Sequence, residues 1–302
     1  VALKYQFGGY ILFARDFKER DKQQMVAAIQ EYQDVSKVPM FIGVDEEGGT
    51  VNRISLYKQY IEVPFWSPRD LFDEGGMELI KSDTKEKCRL LSSLGINLNF
   101  APVADISSDP ADYMYPRTFG TSAEETCKYV ENVVSVMKEN GIGSVLKHFP
   151  GYGNNSDTHT GIAVDERSLR SLRENDFLPF ESGIEAGAEV VLVSHNIVRS
   201  IDGEHPASLS LQVHNILRDE IGFSGLIITD DLYMDAIREY THGQEAAVMA
   251  VLAGNDLLCC SDYQTQYPAV VQALKDGKIS DSRVDESVMR ILQYKISMGL
   301  MN

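Results

Sequence analysis

The feature that most constrains the fold is an alternation, along the whole chain, of short apolar runs with longer amphipathic segments. Each run holds about four to six apolar residues and then turns abruptly polar. Continuous apolar runs of this length are typical of strands that are buried on both faces, as in a parallel sheet. The order therefore predicts an α/β fold in which helices connect parallel strands. The seven runs begin at Gly8, Met40, Ile96, Gly143, Glu189, Gly225 and Asp256.

Two of the amphipathic segments predict helices directly. The segment 123–140 groups its apolar residues on one face and stops at Gly141. A later segment has a similar face and begins after Ser282, which with Asp285 resembles a capping box. The apolar residues of the first face are Val130, Val133, Val134 and Met137, and those of the second are Val284, Val288, Ile291 and Leu292.

A closed (β/α)8 TIM barrel and an open doubly wound sheet both fit this order of elements. A chain of 302 residues is an ordinary length for one barrel, and no G-x-G-x-x-G turn follows any run, which weakens the dinucleotide-binding alternative. A barrel needs eight strands, whereas seven runs are visible. We therefore expect a single barrel domain over residues 1–302, with its first strand upstream of Val1.

The composition excludes several classes of partner. Lys plus Arg number 28 against 45 for Asp plus Glu, a formal charge of −17, which disfavours binding to nucleic acid or to anionic lipid. No apolar stretch of ~18 residues is present, so we expect no membrane-spanning segment. The four cysteines include no C-x-x-C pair and are expected to be buried free thiols. Neither H-x-H nor H-E-x-x-H occurs, so we expect no metal and no cofactor.

Polar residues collect where the predicted strands end. In a parallel barrel, the carboxyl ends of the strands and the loops that follow them form the active site. Any one of these residues could be polar simply because the chain reaches water, but the whole set on one rim favours a functional site. The set is Asp45, Glu46, Asp105, Lys147, His148, His195, Asp230 and Asp231.

Two features of this rim suggest catalysis. Asp230 and Asp231 directly follow GLIIT; adjacent residues point to opposite sides, so one carboxylate can face the barrel mouth while Asp231 caps the next helix. In the glycine-bounded loop 151–161, Asp157 lies two residues before His159 and can orient its imidazole for acid/base work. The alternative for this pair is an Asx-turn with an exposed histidine. A Ser-His-Asp hydrolase is disfavoured because no G-x-S-x-G is present.

The motifs together resemble family 3 of the glycoside hydrolases, and within it the bacterial β-N-acetylglucosaminidases of peptidoglycan turnover. They are VDEEGG, PRTFG, KHFPGYG followed by DTH, and ITDDLYM, in that order. The resemblance extends from Gly8 to the last predicted helix. It implies a barrel without the additional domains of many β-glucosidase relatives, acting on a carbohydrate without a cofactor, and we expect a monomer.

The resemblance also implies a role for each motif residue. Asp230 corresponds to the nucleophile of a retaining mechanism, His159 to the general acid/base, and Asp157 to the residue that orients it. The expected sugar-binding residues are Asp45, Arg53, Arg117, Lys147 and His148. The expected activity is removal of terminal β-linked N-acetylglucosamine or N-acetylhexosamine from muropeptides or related glycans.

Some residues depart from the family pattern. FPGYG with Tyr152 replaces the more usual FPGHG, and DEEGGTV replaces DQEGGRV. These departures leave the aglycone preference and the closure of the loop open, and they slightly favour an exported enzyme over a cytoplasmic one. The alternatives are a β-glucosidase-type relative, a sugar-binding barrel without catalysis, and a metal-dependent barrel hydrolase.

Overall fold

The structure is a computed structural model that describes residues 1–120, 122–155, 157–242 and 245–301. Its centre is a curled, six-stranded parallel sheet with the strand order β1-β2-β3-β4-β6-β8. A separate parallel pair is formed by β5 and β7. The strands are β1 (Gly9–Leu12), β2 (Phe41–Val44), β3 (Leu98–Asn99), β4 (Gly143–Phe149), β5 (Val164–Asp165), β6 (Val190–Val193), β7 (Ile197–Val198) and β8 (Leu226–Thr229).

Six of the seven predicted strands are confirmed, each paired in parallel with its neighbour. The seventh run makes only a single parallel bridge, between Leu257 and Ile228. Two residues further on, the N–H of Cys259 donates to the Thr229 hydroxyl instead of to a backbone carbonyl, so the ladder does not continue. The sheet that is described therefore stops short of the predicted eight-stranded closed barrel. The pair formed by β5 and β7 was not predicted.

Helices flank the sheet strands in sequence. The helices are α1 (Ala2–Tyr5), α2 (Ala14–Phe17), α3 (Lys22–Asp34), α4 (Pro68–Leu94), α5 (Ala123–Glu139), α6 (Leu169–Ser171), α7 (Phe177–Glu185), α8 (Leu211–Asn215), α9 (Asp235–Thr241), α10 (Ala246–Ala253), α11 (Tyr263–Lys275) and α12 (Asp281–Ser297). Short π-helical segments, Leu172–Asp176 and Ile216–Glu220, follow α6 and α8. None of the helices in the described ranges is long and apolar enough to cross a membrane.

The prediction for α5 is confirmed. Its four expected apolar residues are all buried, and Gly141 follows the helix in a left-handed conformation with φ 71°. The hydroxyl of Ser122 accepts the N–H of Glu125 and so caps the first turn.

The predicted start and inward face of α12 are partly wrong. The N-cap is Ser280, whose hydroxyl accepts the N–H of Arg283, and Ser282 lies inside the first turn. Val288 is 44% exposed. Compared with the predicted face, the buried face of α12 is turned toward Tyr294 and Lys295, which lie in the core. The prediction missed them because it considered only fully apolar side chains, whereas each of these two ends in a polar atom.

The alternating side chains of the strands form two apolar layers. In β6, Val190 and Leu192 belong to the layer on one face of the sheet, and Val191 and Val193 to the layer on the other face, which also contains residues of α4 and α5. Burial on both faces is the reason that the runs are continuously apolar. All four cysteines are free; Cys88 is buried, and the other three are only partly buried.

Candidate active site

The carboxyl ends of β2 and β4 place a buried cation between two carboxylates. The ammonium of Lys147 lies 2.7 Å from Asp45 Oδ1 and 2.6 Å from Glu47 Oε1, and the side chain is 2% exposed. Burial disfavours the charged form, but the two carboxylates outweigh it and raise the pKa of Lys147 above its usual value. Lys147 is therefore a fixed positive charge, and Asp45, which is 20% exposed, remains open to a ligand.

Glu47 joins this cation to a second one. Its carboxylate accepts from Arg117 Nε at 3.0 Å and from Arg117 Nη2 at 2.7 Å, a two-point contact. Burial acts to raise the pKa of Glu47, yet Arg117 and Lys147 hold it far below its usual range, and Arg117 stays charged. Glu47 was not among the residues predicted from the sequence. A signal was present, because residues 45 and 47 are two apart at a strand end and so face the same side.

His148 lies against Arg117 and is oriented by Asp105. His148 Nδ1 is 2.7 Å from Asp105 Oδ2, and because a carboxylate can only accept, Nδ1 carries the proton. His148 Nε2 then faces Arg117 Nη2 at 3.4 Å as an acceptor. Asp105 also accepts the N–H groups of His148 and Tyr152. The predicted sugar-binding residues Asp45, Lys147, His148 and Arg117 are thus brought together.

Arg53 lies on the loop after β2 and is held differently. Its guanidinium donates to the carbonyl of Asn52 at 3.1 Å. The loop itself is organised by Glu46, whose fully buried carboxylate accepts the N–H groups of Arg53, Ile54 and Ser55. Glu46 therefore sets the shape of the loop that presents Arg53, while the role of Arg53 in sugar binding stays a prediction.

Asp230 directly follows β8, as predicted. Burial acts to raise the pKa of its carboxyl, but the imidazoles of His195 and His148 and the N–H of Asp231 outweigh this and lower the pKa below its usual value. The carboxyl accepts that N–H at 2.8 Å through Oδ1. An ionised carboxylate in a cleft, with one oxygen oriented by the backbone, is suited to attack an electrophilic carbon.

Asp231 does not cap the next helix, which is a correction to the prediction. Its carboxylate accepts the N–H of Tyr233 at 3.0 Å and the N–H of Ser261 at 2.9 Å, and it also contacts the Ser261 hydroxyl. The N-cap position of α9 is Met234. Asp231 instead connects the turn after β8 to the loop around Ser261, because its carboxylate accepts the N–H groups of Tyr233 and Ser261.

His195 is a neutral group that shapes the same turn. Its Nε2 donates to the carbonyl of Asp231 at 3.1 Å, and its Nδ1 accepts from the Ser208 hydroxyl at 2.7 Å. Burial lowers the pKa of His195, although Asp230 acts in the opposite direction. Its contacts assign it to the support of Asp230 and not to proton transfer.

The loop after β4 presents the predicted pair of Asp157 and His159. His159 Nδ1 lies 2.6 Å from Asp157 Oδ1, and the N–H of His159 donates to the same oxygen at 2.9 Å. Nδ1 is the donor to this carboxylate, which leaves Nε2 as the ring atom for proton exchange. The His159 side chain is 59% exposed. His159 is also among the groups that lower the pKa values of Asp230 and His195, so its imidazole acts electrostatically on both.

Within residues 1–120, 122–155, 157–242 and 245–301, no group of three or more His, Cys, Asp or Glu side chains is arranged to hold a metal ion. The histidines of the rim are instead paired with carboxylates, a hydroxyl or a carbonyl.

The sequence of this chain matches the protein-family model described as "Glycosyl hydrolase family 3 N terminal domain" over residues 1–294. The chain belongs to glycoside hydrolase family 3. The predicted resemblance is confirmed, and so is the predicted class of enzyme, a glycosidase.

Relatives of this family 3 chain include proteins that are named β-hexosaminidase. "Beta-hexosaminidase LpqI" of Mycobacterium tuberculosis is 32% identical over 270 residues, which cover 85% of this chain and 68% of the relative. A "Beta-hexosaminidase" of Methylococcus capsulatus is 29% identical over 275 residues, covering 90% of this chain and 81% of the relative.

Solved structures agree in fold with this family 3 chain. A family 3 β-N-acetylglucosaminidase from Paenibacillus sp. superposes with a TM-score of 0.92 at 30% identity, covering 99% of this chain. This chain spans 58% of that protein. The structure of M. tuberculosis LpqI superposes with a TM-score of 0.86 at 31% identity, covering 96% of this chain and 86% of that one.

Proposed function

We propose that this family 3 glycosidase is a retaining β-N-acetylhexosaminidase that removes terminal β-linked N-acetylglucosamine from peptidoglycan-derived muropeptides or related glycans. The proposal depends mainly on Asp230, whose carboxyl pKa is lowered, and on the Asp157–His159 pair, because His159 is among the groups that lower that pKa. Relatives that bear the name β-hexosaminidase support the sugar specificity. The muropeptide part of the proposal depends on the motif resemblance.

The mechanism has two displacements. Asp230 attacks the anomeric carbon while His159, protonated at Nε2, donates that proton to the leaving glycosidic oxygen. A glycosyl ester on Asp230 forms and the aglycone departs as an alcohol. His159, now neutral at Nε2, then takes a proton from water, whose oxygen attacks the anomeric carbon and releases Asp230. Two inversions give net retention, with a histidine in the place of the second carboxylic acid found in most retaining glycosidases.

The cluster around Lys147 supplies the sugar subsite. Asp45 is the accessible carboxylate, and its hydrogen bonds to sugar hydroxyls are charge-assisted and strengthen toward the oxocarbenium-like transition state. Glu47 keeps Lys147 and Arg117 charged and aligned, so these cations present donors without rearrangement, and His148 is held beside Arg117 by Asp105. Arg53 is proposed to complete the subsite from the loop after β2.

The wider architecture is proposed to be a closed (β/α)8 barrel to which residues 1–302 belong as one domain, acting as a monomer and without a metal or cofactor. The curled parallel sheet and the parallel bridge at Leu257 support closure. The close superposition on family 3 enzymes supports it as well.

The function is tested with p-nitrophenyl β-N-acetylglucosaminide and the matching β-glucoside, using the wild type, Asp230→Ala and His159→Ala. We expect cleavage of the N-acetyl substrate alone and a loss of at least about 10³-fold in kcat for Asp230→Ala. Proton NMR of the first-formed sugar should show the β-anomer. Wild-type rates in Asp230→Ala would remove the nucleophile assignment, and loss of activity with a chelator would favour a metal-dependent hydrolase. Preference for the glucoside would favour the β-glucosidase-type relative.

A further inference from the structure

Tyr152 links the sugar-binding side of the cleft to the acid/base loop. It is 3% exposed and directly follows the turn after β4. Its backbone N–H donates to Asp105 Oδ1 at 2.6 Å, and its ring lies edge-on to His148 with the centroids 5.6 Å apart. Asp105 also orients His148, so Tyr152 is built into the support of that residue.

The other end of Tyr152 reaches the middle of the acid/base segment. Its phenolic oxygen accepts the N–H of Thr158 at 2.8 Å and lies 3.0 Å from Thr158 Oγ1. Thr158 is the residue between Asp157 and His159. It is 2% exposed, whereas the His159 side chain next to it is mostly exposed. The buried hydroxyl therefore fixes the backbone from which the catalytic imidazole projects.

The start of the loop is anchored independently of this contact. The guanidinium of Arg167 donates to the carbonyl of Gly151 at 2.9 Å. On the far side, the carbonyl of Thr158 accepts the N–H of Ala236 at 3.3 Å, a longer bond. Loss of the phenolic hydroxyl would thus leave the loop attached at its base, but with Thr158 less firmly held.

We propose that Tyr152 is a positioning residue whose hydroxyl holds the Asp157–His159 pair at a set place relative to His148 and the bound sugar. This inference depends on the proposed function, because it assumes that His159 protonates the leaving group. A small displacement of an acid slows the steps that need its proton, and leaves steps that do not need it largely unchanged.

A role in packing alone would have a different signature. The Tyr152 ring also packs with Val103 and Met114, so a change there could lower stability. Loss of stability reduces the amount of active enzyme and lowers all rates by one factor. A misplaced acid instead lowers rates in proportion to how much each leaving group needs protonation.

The experiment measures kcat/KM for a series of aryl β-N-acetylglucosaminides, from dinitrophenyl to phenyl, with the wild type, Tyr152→Phe and His159→Ala. Tyr294→Phe is the matched control, because it removes a buried hydroxyl from α12, away from the rim. We expect Tyr152→Phe to lose about tenfold with the phenyl substrate and less than about threefold with the dinitrophenyl one. Tyr294→Phe should have the wild-type dependence on the leaving group.

The outcomes separate this inference from the function itself. If the loss in kcat/KM for His159→Ala is the same for every leaving group, the acid assignment in the proposed function fails. If the loss for His159→Ala varies with the leaving group but Tyr152→Phe keeps the wild-type dependence on the leaving group, the positioning role is overturned. Should Tyr152→Phe not fold, Thr158→Val tests the same contact from its other side and should reproduce the selective loss at smaller size; a uniform loss there would also overturn the inference.

Discussion

Arg167 illustrates how single residues of this cleft share charge. Its guanidinium binds Asp165 at 2.6 Å and Asp176 at 2.6 Å, and Asp105 lies close enough to act on Asp176 as well. One cation thus faces two carboxylates, and a third, Asp105, acts on one of them. Burial raises the pKa of Asp176 to about 6, with Asp105 and Asp165 adding to the rise and Arg167 opposing it. The folded protein therefore holds a proton on Asp176 in a pH range where the unfolded chain, with the ordinary value of 3.8, has lost it.

The Asp176→Asn variant should be more stable than the wild type near neutral pH. Since the folded-state pKa is raised, wild-type stability falls as the pH rises from about 4 to about 6, and asparagine mimics the protonated carboxyl throughout. The difference in free energy of unfolding should grow from near zero at pH 4 to roughly 3 kcal/mol at pH 7. Urea unfolding at a series of pH values measures it, and parallel curves for the two proteins would rule it out.

Which site residues could be predicted depended on where their partners lie in the sequence. Asp230, His159 and Asp157 belong to short motifs, and the Asp157–His159 contact joins residues two apart. The position of Glu47 two residues after Asp45 indicated only the side that it faces, and its partner Arg117, 70 residues away, cannot be identified from local pattern. The same holds for Tyr152, which the sequence marked only as a departure from the family motif.

At the scale of elements, apolar periodicity predicted existence better than boundaries. Six strands and α5 match their runs, because burial on a defined face leaves a repeating pattern. The start of α12 was misplaced because two serines stand two residues apart and both resemble caps. The seventh run was predicted as a strand, but it forms only the bridge at Leu257. The N–H of Cys259 donates to the Thr229 hydroxyl in place of a backbone carbonyl, so the pairing does not continue.

The two serines at the start of α12, Ser280 and Ser282, provide a direct comparison. Ser280→Ala should lower the free energy of unfolding by about 1 kcal/mol, because the N–H of Arg283 loses its acceptor. Ser282→Ala should change it by less than about 0.5 kcal/mol. Equilibrium denaturation of both variants measures the difference, and the reverse order would place the cap at Ser282.

At the scale of the whole molecule, the last helix is tied to the sheet through a buried carboxylate. Asp256 accepts from Arg218 at 2.6 Å and from Arg290 at 3.0 Å, with Arg283 at 3.9 Å, and also takes the N–H of Ile227 in β8. At the far end of α12, the buried ammonium of Lys295 donates to the carbonyl of Gly8, just before β1. The C-terminal helix thus contacts both ends of the strand order.

Asp256→Asn should therefore destabilise the whole fold. Its side chain is fully buried, and loss of the charge leaves three guanidinium groups without their common partner. We expect a cost of about 3 to 5 kcal/mol in the free energy of unfolding. Glu124→Gln, which removes an exposed ion pair with Lys128, is the control and should leave the unfolding curve unchanged. Equal effects in the two variants would contradict a structural role for Asp256.

The Asp157–His159 pair, which we propose as the acid/base, is held together within one short segment. Asp157 and His159 are joined both through the ring and through the backbone N–H of His159, all inside one three-residue segment. Any displacement of the loop would therefore carry the carboxylate and the imidazole as one preassembled unit, with the contact between them kept. In the proposed mechanism, the position of the loop would then set when His159 reaches the glycosidic oxygen, because Asp157 already orients the imidazole.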